Sequence, residues 1–149
     1  MTHPTPSELT EAQAVAHILV HCRTVAVVGL SPKAHRESYG VAQYLQAHGW
    51  RIVPVNPVAA AAGEPILGEK VYATLTDAAQ HEEIDLVDVF RNSEDVPPVV
   101  DEAIGLGLGA IWLQLGISHN VALARARAAG MVAVQNRCLK VEHARRAAQ

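Results

Sequence analysis

Gly29-Leu30-Ser31, followed closely by Lys33, His35 and Arg36, gathers a glycine, a hydroxyl and three cationic or potentially cationic side chains in one stretch. Such a set suits a phosphate. Glycine can adopt a positive φ and let an anion reach the main chain, Ser31 offers a hydroxyl and an amide, and a following helix would aim its N-terminus inward. The match to the dinucleotide pattern G-x-G-x-x-G is poor, because no glycine follows until Gly40. A glycine that only ends a strand, trailed by a solvated loop, would be spelled the same way.

A second test lies at residues 52–57, IVPVNP. Folds that bind NAD place an Asp or Glu at this point to hold the ribose diol. Asn56 and Pro57 stand there instead, and no acid comes before Glu64. A ribose that carries a phosphate is therefore admitted, which NADP has on the 2′ oxygen and coenzyme A on the 3′ oxygen. Residue chemistry alone leaves both open.

Other reactive groups are sparser. Cys138, in QNRCLK, falls at the start of the last predicted helix with Arg137 and Lys140 beside it. A thiol so placed is expected to be comparatively reactive; the plainer reading is a small apolar residue packed under the helix. His17 and His21 share a helix face but have no acid or third ligand nearby, so no metal site is expected. Asp85 and Asp88 are unusual in the strand-like IDLVDVF: Asp85 suits the strand entry, and Asp88 should enter the cleft or tie a loop by hydrogen bonding. Trp112 is expected in the core and Trp50 in surface packing.

The elements that would position these groups alternate. SELTEAQAVAHILVHC reads as a helix capped by Ser7. TVAVVG (24–29) is a short apolar run buried on both faces, and SYGVAQYLQAHGW is a helix stopped by Gly49. RIVPVNP (51–57) is a strand in which Pro54 points to an edge. Residues 59–75 read as loop with a brief extended piece, TDAAQHEE as a short helix capped by Thr76, and IDLVDVF (84–90) as a strand. A helix capped by Ser93, a strand over 110–116, a helix stopped by Gly130, a strand over 131–135 and a final helix complete the chain. This order predicts an α/β fold: one Rossmann-like, doubly wound domain with a five-stranded, mainly parallel sheet, helices on both faces and an extra N-terminal helix. Ligands of such sheets lie beyond the carboxyl ends of the strands where strand order reverses, next to the first strand.

With 149 residues, half of them hydrophobic, the chain can bury a real core without staples. A net charge of -3 argues against a general nucleic-acid binder. Cys22 and Cys138 have neither zinc nor redox spacing, no apolar run approaches a membrane span and no leader is evident, so a cytoplasmic protein with free thiols is expected.

VAVVGLSPKAHRESYGVAQYL, IVPVNP, DLVDVFR, IWLQLGI and VQNRCLKVEH together resemble, in order and spacing, the small CoA-binding domain proteins, which are similar to the N-terminal Rossmann domain of the succinyl-CoA synthetase alpha subunit. The likeness spans roughly residues 15–145, with residues 7–149 as the CoA-binding domain and 1–6 as a flexible N-terminus. It implies that Gly29, Leu30 and Ser31 hold the pyrophosphate of coenzyme A with Lys33 close by. Val55, Asn56 and Pro57 would lie under the adenosine, Phe90 and Arg91 would line the crossing point, and Gln114, Gly116 and Ile117 would face the pantetheine arm. Arg36 is assigned to the 3′-phosphate by inference. Cys138 would face the pantetheine sulfur.

The synthetase's phosphorylated histidine lies in a second domain without counterpart in these residues. The resemblance therefore implies a non-catalytic module: a carrier, sensor or partner subunit for coenzyme A or an acyl-CoA. The alternative is an enzyme, either an NADP-linked oxidoreductase or a Cys138-based thiol or acyl transferase. The absence of an acid–base pair with recognisable spacing counts against it.

Overall fold

Short runs rich in Val, Ile and Leu, without polar alternation, form strands only where helices cover both faces. The structure, a computed structural model that describes residues 4–147, has that arrangement. Strands β1 (Thr24–Val28), β2 (Arg51–Val55), β3 (Leu86–Val89), β4 (Ala110–Leu113) and β5 (Val132–Val134) make one sheet in the order β2-β1-β3-β4-β5. Every pairing is parallel.

Seven α-helices accompany the sheet among the described residues: α1 (Glu11–His21), α2 (Glu37–Ala47), α3 (Pro57–Ala62), α4 (Leu75–Ala79), α5 (Val96–Gly105), α6 (Asn120–Ala128) and α7 (Leu139–Ala147). On one face α1, α2 and α7 pack over Val25, Val27, Ile52 and Trp112. On the other, α4, α5 and α6 pack over Ala26, Val53, Val87 and Ile111. None of the described helices is long and apolar enough to cross a membrane.

Pro54 shows why β2 lies at an edge. A proline has no N–H to donate to a second neighbour, and on that side its carbonyl accepts from the Tyr72 amide at 2.9 Å. Tyr72 thus bridges to Val55 and covers the edge.

Local choices differ from the sequence reading at several helix starts. Thr10, not Ser7, caps α1, because its hydroxyl and Gln13 form a reciprocal capping box; Ser7 lies in a 3-10 turn, Pro6–Glu8. Thr74 rather than Thr76 caps α4. Ser93 belongs to a 3-10 turn ahead of α5. Residues expected to be loop form α3, started by Asn56 and Pro57 and ended by the left-handed Gly63. Trp50 is buried rather than superficial. Of the N-terminal segment expected to be flexible, residues 1–3 lie outside the described residues, as do 148–149 of the expected domain.

Candidate functional site

The sheet order reverses at β1, which pairs in parallel with β2 on one side and β3 on the other, so the loops leaving β1 and β3 diverge to opposite faces and open a cleft. Gly29 ends β1 there with φ +88°, and its amide donates to the Val55 carbonyl at 3.0 Å. A Cβ on Gly29 would sit 2.3 Å from the Phe90 carbonyl oxygen. The glycine is thus required by the close approach of β1 and β3 themselves, before any ligand is considered.

Beyond Gly29 the chain folds onto the start of α2. Leu30 is fully buried in the core, so only its backbone borders the cleft. The Ser31 amide is turned inward, donating to Ser38 Oγ at 3.0 Å, while Ser31 Oγ accepts from the Lys33 amide at 3.1 Å. What Ser31 retains for a ligand is its hydroxyl proton. Arg36 occupies the N-cap of α2 and supplies no side-chain acceptor, so the first-turn amides of this helix meet no cap. Among the other helices whose N-termini face this rim, Asn56 caps α3 and His119 Nδ1 caps α6. Gln114 Oε1 accepts from the Leu139 amide of α7, and α5 begins with prolines that have no N–H. The pocket in front of α2, about 380 Å³, is lined by Gly29, Ser31, Lys33, Arg36, Glu37, Ser38 and Phe90.

A second pocket, about 290 Å³, lies across Gly29 toward β2 and is bounded by Val55, Pro57, Thr74, Arg91 and Pro98. No carboxylate stands at the end of β2. Asn56 faces inward, its Nδ2 donating to the Leu30 carbonyl at 2.9 Å and its Oδ1 accepting from Val58 and Ala59. A third space, about 770 Å³, continues from Arg36 and Phe90 past Arg91 to Gly116 and Ile117. Lys33, Arg36 and Arg91 are exposed, and none of them pairs with a carboxylate among the described residues. Three unpaired cations and an uncapped helix therefore converge on one trough, whose lining also includes Glu37, Glu94, Asp95 and Glu102; the cations and helix amides can stabilise negative charge.

A family model described as a CoA binding domain matches residues 23–144. The chain belongs to this CoA-binding domain family. It is also similar to the protein YneT of Bacillus subtilis strain 168, 33% identical over 97% of this chain and 98% of that protein. A solved structure from Thermus thermophilus, titled as cell-free ID.343, is 35% identical, covers 92% of this chain and 98% of that one, and superposes with a TM-score of 0.82. A dinucleotide-forming acetyl-coenzyme A synthetase from Ca. Korarchaeum cryptofilum shares the fold, with a TM-score of 0.67 at 21% identity over 80% of this chain and 27% of that one.

Within this CoA-binding domain, the structure brings Gly29, Ser31, Lys33, Arg36, Val55, Pro57, Phe90, Arg91, Gly116 and Ile117 to the trough, while Leu30, Asn56 and Gln114 support it from below. Gln114 is buried and its Nε2 has no partner among the described residues. Gly116 (φ +86°) donates its amide to Asn136 Oδ1 at 2.8 Å. Cys138 is half-buried in a separate pocket of about 560 Å³ at the β4–β5 end. The cations expected to activate it are engaged elsewhere: Arg137 with Glu11 and Glu142, Lys140 over the Tyr44 ring. Cys22 is buried, and desolvation followed by Asp85 pushes its thiol up to about 11.

Asp85 does tie a loop, with Oδ2 accepting from the Arg23 and Thr24 amides. Asp88 does not. It is fully buried between Val27 and Trp112, both oxygens lack partners among the described residues, and burial raises its carboxyl well above the usual range. Ser38 is not singled out by the sequence reading, yet it accepts from the Ser31 amide and ties the loop after Gly29 to α2; its signal is a small hydroxyl residue in the first turn after that loop.

Proposed function

We propose that this protein binds coenzyme A or an acyl-CoA along the trough at the carboxyl ends of β1, β2 and β3, as a non-catalytic carrier, sensor or partner module similar to the CoA-binding part of succinyl-CoA synthetase. The observation that carries the reading is the convergence of the uncapped α2 N-terminus with unpaired Lys33, Arg36 and Arg91, opposite a β2 end without a ribose-binding acid. Pyrophosphate would lie before α2, held by first-turn amides, the Ser31 hydroxyl and Lys33. Arg36 or Arg91 would meet the 3′-phosphate, the less polar pocket beside Val55 and Pro98 would take adenine, and the pantetheine arm would run past Phe90 toward Gly116 and Ile117.

A thermal-shift panel of CoA, acetyl-CoA, NAD, NADH, NADP and ATP tests it. A ligand at 100 times its dissociation constant stabilises by about 2.7 kcal/mol. CoA or acetyl-CoA should raise Tm clearly. A rise with NADP and none with CoA would overturn the reading and favour the oxidoreductase alternative.

A further inference from the structure

Helix α7 is held unlike the others. It buries only Leu139, so little apolar area fixes it to the domain. The rest of its seat is a ring cluster on α2: the Tyr44 hydroxyl meets His143 Nδ1 at 2.9 Å, and His143 lies edge-on to Tyr44, His48 and Trp50 with centroids 5.4, 5.3 and 6.1 Å away. The charged groups facing this cluster have one sign. Arg23, ahead of β1, lies over Trp50, and Lys140, on α7 itself, lies over Tyr44, each at 5.5 Å. His48, at the C-cap of α2, is held by the Tyr44 carbonyl at 2.8 Å. The neighbouring acid, Glu142, is occupied by Arg137 and Arg145. A proton on His143 would meet Arg23, Lys140 and the adjoining His48 ring, with no free counter-ion among the described residues.

We propose that α7 is a pH-operated latch: neutral His143 seats it on α2 through Tyr44, and proton uptake at His143 releases it while the sheet stays folded. Burial, then His48 and Arg23, holds the His143 imidazole below its usual range. A histidine so depressed contributes its docking energy above the ordinary imidazole range, about 6.5, and loses it as pH falls toward the folded value. Release would uncover the Ala12, Val15 and Leu19 side of α1, which borders a groove shared with α7. It would also break the Leu139–Gln114 contact at the rim. The inference does not depend on what the trough binds.

Peptide-resolved hydrogen exchange at pH 7.5 and 5.5, corrected for intrinsic rates, tests it without ligand. Residues 139–147 should lose protection about tenfold or more at pH 5.5, with β1, β3 and β4 unchanged. His143→Phe, a ring that takes no proton, should keep α7 protected at both values. His48→Gln, which removes one opposing charge and leaves the Tyr44 contact, should shrink the loss even if the Phe variant docks poorly. Equal α7 protection at both pH values, a loss shared by the whole sheet, or an unaltered loss in His48→Gln would overturn the proposal.

Discussion

The two halves of the rim at the carboxyl ends of the strands are built alike and finished differently. On the β4–β5 side polar groups close on one another. Gly116 donates to Asn136, the His119 amide to Gln135, Gln135 to Asn120, and Arg137 bridges Glu11 and Glu142. On the β1–β2–β3 side Lys33, Arg36 and Arg91 face solvent unpaired, and α2 begins without a cap. The same sheet supplies both halves with inward-pointing helix N-termini, so topology alone does not choose the site. The free charges and uncapped amides beside α2 are what favour the proposed site.

The comparison breaks most severely at Gly29, the one residue both strand packing and the trough require. Gly29→Val should cost on the order of 3 kcal/mol or more, since a left-handed φ and a backbone clash coincide. Circular-dichroism melting should show loss of folded protein, so this variant reports on the fold and not on ligand contact. The next largest effect belongs to the open side. Lys33→Ala, Arg36→Ala and Arg91→Ala should each weaken CoA binding about tenfold, as charge-assisted contacts of about 1.5–3 kcal/mol imply, with little change in apo Tm.

Gln114→Ala on the closed side should do the reverse. It removes the acceptor for the Leu139 amide, so stability should fall by about 1–2 kcal/mol in denaturant titration while CoA affinity holds within about twofold. Smallest is Glu11→Gln. The hydrogen bond from Arg137 holds the Glu11 carboxyl below its usual range. A depressed acid contributes above the ordinary carboxylate range and loses that contribution as pH falls through its folded value. Wild type and variant should differ by under about 1 kcal/mol at pH 7, because the pair is exposed, and converge in acid.

The same contrast explains what was legible in the sequence. The five strands and their alternation with helices along the chain could be read because uninterrupted apolar runs and Gly stops report directly on burial and chain reversal. The cationic loop after Gly29 was visible for a similar reason: its chemistry is carried by residue type. What escaped was pairing. Nothing in the spelling of Ser31 tells that its amide turns to Ser38, or that Asn56 and Gln114 face inward as struts. Thr10 outcompeted Ser7 through a reciprocal pair of hydrogen bonds with Gln13, and Thr74 outcompeted Thr76 through one from the Asp77 amide, at choices two or three residues apart. The orphaned carboxyl of Asp88 runs against the general rule that buried polar groups find partners. No local reading would have placed it there.

The central claim is that the open half of the rim holds the phosphates. Calorimetric titration of CoA into the wild-type protein and into the Lys33→Ala/Arg36→Ala/Arg91→Ala variant, at low and at high salt, tests it directly. The account predicts binding to the wild type that weakens as salt rises and is lost, or nearly so, in a variant that still melts like the wild type. Equal, salt-insensitive affinity in the two proteins would contradict it.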